Sequence, residues 1–101
     1  MAQFDVYRLP RGAGSILVVD LQNKLFDGLA TRVVAPLYPL NAKNKPILRL
    51  NPVVEIEGQL YLLAIQEMSA LRVKSLGAKV ASLEARRNEI VAAIDFLITS
   101  V

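Results

Sequence analysis

A chain of 101 residues, 53% of them hydrophobic at a mean hydropathy of +0.39, folds as one domain with a modest core, and its surplus apolar surface predicts a homodimer. The absence of cysteine and histidine removes disulfides, a thiolate nucleophile and the preferred ligands of zinc and copper, so no metal or other cofactor is expected. Twelve Lys and Arg against nine Asp and Glu give a net charge of +3, scattered without interleaved aromatics, which suits an acidic protein partner better than direct contact with DNA or RNA.

Met1 to Leu9 is interrupted by Gln3, Asp5 and Arg8, so it does not read as a secretory signal. No apolar run reaches the roughly 18 residues that span a bilayer. A cytoplasmic protein that avoids the membrane is expected. Within Gln3 to Leu9, Phe4 and Val6 alternate with Gln3 and Asp5, which predicts a half-buried strand. Pro10 to Ser15 reads as a flexible turn, and Ile16 to Leu21 as a strand covered on both faces, with Asp20 bonded to backbone or to an arginine. Asn23 to Gly28 is a turn that displays Leu25 and Phe26.

Thr31 to Leu37 predicts a third strand, with Pro36 marking an edge, a bulge or its end. Tyr38 to Arg49 is the longest irregular stretch and a candidate binding loop. Val53 to Ile56 and Gln59 to Ile65 flank Glu57-Gly58 at hairpin spacing, and Leu71 to Ser75 alternates as a short strand. From Val80 the period changes: Leu83, Arg87, Ile90, Ile94, Leu97 and Val101 fall three and four apart, predicting a helix from about Leu83 to Ile98 with Ser82 as its cap. The expected architecture is mainly β, five or six antiparallel strands curled into a small barrel-like sheet, followed by one C-terminal helix.

Chemistry is harder to find. Glu55 and Glu57 share a strand face beside a turn, where solvated charge is the expected role. Gly12 and Gly14 lack the third glycine and the lysine of a phosphate loop, and Tyr7, Tyr38 and Tyr61 form no stacking series. No catalytic constellation emerges. The unusual feature is the end, Asp95-Phe96-Leu97-Ile98-Thr99-Ser100-Val101, which stays apolar where most chains finish in polar residues.

Several strings, in order, carry a family resemblance: Gln3-Phe4-x-Val6-Tyr7, Val19-Asp20-x-Gln22, Arg32-x-Val34-x-Pro36-Leu37, Pro52-Val53-Val54-x-Ile56, Met68-Ser69, Arg86-x-Asn88-x-Ile90 and Ala93-Ile94. Over its whole length the chain resembles the CcdB family of toxin–antitoxin proteins. That resemblance implies an SH3-like barrel shared with MazF-type ribonuclease toxins, a homodimer, and action by binding rather than by enzymatic chemistry. The implied target is the DNA gyrase A subunit, trapped on cleaved DNA, with a CcdA-like antitoxin as the neutralising partner. By position, the implied gyrase contacts are Leu25, Phe26, Asp95, Ile98, Thr99, Ser100 and Val101. The family's tip carries a tryptophan followed by glycine and isoleucine, where this chain has Thr99, Ser100 and Val101. The implied antitoxin contacts lie in the loops Arg8 to Gly14 and Asn41 to Arg49, namely Arg8, Arg11, Gly12, Lys43, Lys45 and Arg49. Two alternatives stand beside this reading: a MazF-type ribonuclease, with Thr31 and Arg32 as nominal catalytic residues, and a relative that binds antitoxin without poisoning gyrase.

Overall fold

The computed structural model describes residues 2–99. Seven strands and one helix follow in order: β1 (Asp5–Arg11), β2 (Gly14–Asp20), β3 (Thr31–Pro39), β4 (Val53–Ile56), β5 (Gln59–Leu63), β6 (Ser69–Arg72), β7 (Lys79–Ser82) and α1 (Arg87–Ile98). All pairings are antiparallel, in the order β4-β5-β3-β2-β1-β7, with β6 beside the first half of β3. The result is a curled half-barrel whose hollow is closed by α1. No described helix is long and apolar enough to cross a membrane.

Side chains along a strand alternate between faces, so one register sorts them into two sets. Val6, Leu17, Val19, Ala35, Leu37, Val54, Ile56 and Leu63 point into the hollow, where Ile90 and Ala93 of α1 meet them. Tyr7, Val18 and Val34 form a second cluster on the outer face, with Leu9, Ile16, Leu71 and Leu76 around it. Residues 5–7, 17–20 and 34–37 of β1 to β3 are therefore covered on both faces. That explains the apolar run of β2, and it corrects the alternating reading at the start of the first strand, where Asp5 and Tyr7 are buried as well as Val6, while Arg8, Pro10 and Arg11 further along are exposed. Phe4 stands outside the ladder at a φ of 71°. Its N–H donates to the Asp20 carbonyl at 2.6 Å and its carbonyl accepts from Leu83 N at 2.8 Å, so it joins β2 to the approach to α1.

The turns follow their chemistry. Arg11 pairs with Gly14, so Pro10 to Ser15 is a tight hairpin with Gly12 at a φ of 60° rather than a flexible loop. Glu57 and Gly58 both have positive φ, the conformation that a two-residue primed turn requires. Pro36 lies inside β3. Its carbonyl accepts from Ala64 N at 2.9 Å where the neighbour of β3 changes from β6 to β5, so its missing N–H falls at a break in the ladder.

Several boundaries differ from the sequence expectation: β3 runs past Leu37 to Pro39, and the strand expected over Gln59 to Ile65 ends at Leu63, with Ile65 opening a 3₁₀ turn. The strand placed at Leu71 to Ser75 is β6 at Ser69–Arg72, followed by a 3₁₀ turn at Val73–Ser75. Pairing stops because β3 begins at Thr31, and Val73 N makes the last bond to the Ala30 carbonyl at 3.0 Å. Val80 belongs to β7, paired with β1, rather than to a helical stripe, which brings the strand count to seven instead of five or six. The helix begins at Arg87, preceded by a 3₁₀ turn at Glu84–Arg86 whose cap position is Leu83 rather than Ser82, although Ser82 Oγ accepts from Glu84 N at 3.3 Å.

Candidate functional site: three surfaces around the half-barrel

The first surface is a turn. Asn23 opens a 3₁₀ helix at Lys24–Phe26 by accepting from Leu25 N through its side chain. Leu25 and Phe26 then project into solvent at 81% and 51% exposure, with Leu29 at 54%. Behind them lies Arg32, fully buried and held by both carboxylate oxygens of Asp20, while its Nη1 donates to Asp27 at 2.6 Å. Burial alone would lower the pKa of this guanidinium, but hydrogen bonds and charge from Asp20 and Asp27 outweigh it and raise the value further. Asp20 thus has the arginine partner that the sequence suggested. The same geometry counts against Arg32 as a nominal catalytic residue, because each of its three nitrogens is engaged by Asp20 or Asp27 and no surface of it reaches solvent. Thr31 is exposed beside it.

The second surface is the end of α1. Asp95 and Thr99 are exposed, and both Thr99 N and Thr99 Oγ1 donate to the Asp95 carbonyl, at 2.9 and 3.2 Å. Thr99 is thereby used to satisfy the helix terminus. Ile98 is 63% exposed. Ser100 and Val101 lie outside the described residues.

The third surface is basic. Lys43 and Lys45 line a cleft of about 340 Å³ with Tyr38, Asn51, Gln66 and Glu67. Arg11 lines a neighbouring cleft of about 310 Å³ floored by Val18, Val34 and Pro36. Tyr38 and Glu67 belong to both walls, joined by a 2.6 Å hydrogen bond from the phenol to the carboxylate. That bond, with burial and the Glu67 charge, raises the Tyr38 pKa, against a small opposing effect of Arg11. Arg8 approaches from a third, smaller recess that also includes Tyr38 and Tyr61. Four of the cations expected to meet an acidic partner therefore converge around one tyrosine, with Gly12 turning the hairpin that carries Arg8 and Arg11. Arg49 is placed elsewhere. Its guanidinium lies 4.5 Å from the centroid of the Phe96 ring, a cation–π contact that ties the loop to α1.

Sequence reasoning had Tyr38 only as the start of the candidate binding loop and missed Glu67; the two are 29 residues apart and are brought together by the β3–β5 pairing and the 3₁₀ turn at Ile65–Glu67. It also missed Asn51. This buried amide donates to the Leu63 carbonyl and to Gln66, and accepts from Ile47 N at 2.9 Å, fixing the end of the basic loop. Nothing in the sequence set Asn51 apart from Asn41 and Asn44 in the same stretch.

A model of the CcdB protein family matches residues 3–100. No curated protein sequence matches the chain. Among solved structures, the chain is similar to an endoribonuclease in complex with its cognate antitoxin from a mycobacterial species, with a TM-score of 0.78 and 16% identity over 100% of this chain and 98% of that one. It is also similar to the Mycobacterium tuberculosis toxin MazF-mt6, with a TM-score of 0.72 and 15% identity over 90% of this chain and 92% of that one. At such identities the likeness is one of fold.

Proposed function

The chain belongs to the CcdB protein family, and from that premise we propose that it is the toxin of a type II toxin–antitoxin module that acts by binding rather than by bond-making chemistry. The observation that carries this reading is the family match from residue 3 to residue 100, together with the order of motifs along the same span. In the proposed mechanism a homodimer presents its helix tips and its Leu25–Phe26 turns to the gyrase A subunit. It then holds gyrase in the state that is covalently attached to cleaved DNA. The exposed apolar side chains Leu25, Phe26 and Ile98 suit such a role, since large apolar groups kept in water mark contact surfaces. A CcdA-like antitoxin with an acidic, disordered segment would meet the cations around Tyr38, Arg8, Arg11, Lys43 and Lys45. Contact with DNA would then be indirect, through gyrase or the antitoxin.

Purified protein incubated with gyrase and supercoiled plasmid is expected to accumulate protein-linked, linearised DNA. Deletion of Thr99, Ser100 and Val101 should abolish this while leaving the circular dichroism spectrum and antitoxin binding intact. If the truncated protein still stabilised cleavage complexes, the helix-tip mechanism would be wrong. Expression in hosts with sensitive and resistant gyrase A separates a poison from a relative that only binds antitoxin.

A ribonuclease on the same fold is the second reading, favoured by the likeness to an endoribonuclease structure. Arg32 counts against it. A guanidinium with no exposed surface and two carboxylate partners is in no position to meet a phosphodiester. Cleavage of RNA by the purified protein without gyrase would favour this reading over the first.

A further inference from the structure

Asp5, the first residue of β1, is 4% exposed and carries a charge that the proposed mechanism does not use. Ala2 N donates to its Oδ2 at 3.1 Å and the Tyr7 phenol donates to the same oxygen at 3.4 Å, but both donors are neutral. Among the described residues, the cation that balances Asp5 is Lys79 of β7, whose Nζ lies 3.4 Å from Oδ1. A buried carboxylate deprived of its countercharge is poorly solvated and destabilises the fold that confines it. Lys79 is open to water, with its side chain 55% exposed on a strand at the edge of the sheet. That strand meets β1 at Ser82 with Asp5, Ala81 with Val6 and Lys79 with Tyr7, and the register shifts after Val6. The ion pair therefore runs diagonally across the shift, from one end of this short seam to the other.

We propose that Lys79 is an acylation site that regulates the fold: an acyl phosphate or acyl thioester converts its amine to an amide, and loss of the charge loosens β7 from β1. The ammonium first yields a proton to water. The amine then forms a C–N bond to the acyl carbon, the C–O bond to phosphate or the C–S bond to the thiol breaks with its electron pair, and a second proton leaves the nitrogen. Of the five lysines, Lys79 is the one in a salt bridge among the described residues. Acylation of another lysine removes a solvated charge, whereas acylation here strands Asp5. The effect acts on folding and does not depend on which target the toxin binds.

Mass spectrometry of the purified protein after incubation with acetyl phosphate should find Lys79 acetylated. Acetyllysine placed at that position alone, by co-translational incorporation, should lower Tm by about 4–8 °C, a modest loss because the lysine is half exposed. Amides of Asp5 to Tyr7 and Lys79 to Ser82 should exchange faster while those of β3 to β5 hold. Lys79→Gln should reproduce the fall in Tm. Lys79→Arg, which keeps a cation, and Lys74→Gln, which strands no carboxylate, should not. In an Asp5→Asn background, where no charge is buried, Lys79→Gln should leave Tm where Asp5→Asn alone puts it, a comparison that holds even if Lys79→Gln by itself does not fold. The proposal is overturned if acetyl phosphate spares Lys79 while modifying Lys74, if acetyllysine at position 79 leaves Tm and exchange unchanged, or if Lys79→Gln lowers Tm equally with and without the Asp5 carboxylate.

Discussion

Arg32 has no exposed surface, and its charge is balanced by Asp20, which is equally buried, and by Asp27 at the rim. Removing one member of such a group strands the other charges in a poorly solvating interior, so Arg32→Ala is expected to cost about 3–5 kcal/mol, a loss readable as a lowered urea midpoint. Arg32→Ala together with Asp20→Ala should cost less than the sum of the two single variants, because neither charge is left alone. Tyr38 acts at alkaline pH. Its pKa is raised, so the folded state favours the protonated phenol. Any stability from that preference is fully present below the ordinary tyrosine value near 10 and is lost as pH rises through the higher folded value. Tyr38→Phe should therefore flatten the alkaline limb of a stability-against-pH curve, starting near pH 10. A limb of unchanged steepness would show that the Tyr38–Glu67 bond is not coupled to folding.

Among the elements, β1 to β5 were legible because their signals are local: alternation, β-branched residues, and Glu57-Gly58 where two positive φ values are needed. β6 and β7 were not. Alternation of Leu71 and Val73 continues past the point where β3 stops offering a partner, and Val80 sits at helical spacing from Leu83 although it lies in β7, at the register shift between Ala81 and Lys79 in the pairing with β1. Both errors come from pairing decided far along the chain. The basic loop shows the same division. Its cations could be read directly, whereas their convergence on Tyr38 depends on contacts with β5 and the 3₁₀ turn at Ile65–Glu67. Asn51 locks the end of that loop to the Leu63 carbonyl and to Gln66. Asn51→Ala leaves the Leu63 acceptor and Ile47 N without these partners, which should cost about 1–3 kcal/mol. The same change should raise hydrogen exchange from Lys43 to Leu50, and with it weaken antitoxin binding, while gyrase binding is preserved. Loss of both activities together would mean that the two surfaces are not separable.

For the whole molecule, the half-barrel seals one apolar set between sheet and helix but leaves Leu25, Phe26, Leu29, Ile47, Leu48 and Ile98 each more than half exposed, with Leu97 at 38%. An 11.1 kDa chain has little core to spare, and burying part of this surface against a second copy would add stability that isolated folding cannot supply. Light scattering should therefore return twice the chain mass. Unfolding would then be linked to dissociation, so the wild-type Tm should rise with protein concentration, each tenfold increase adding up to about 1.4 kcal/mol of apparent stability. A charge at the end of α1, Leu97→Asp, should shift the population toward monomer and flatten that dependence. The paired-tip arrangement requires both responses. A concentration-independent Tm with a monomeric mass would leave each helix tip acting alone, and a two-pronged grip on a symmetric target would have no structural basis.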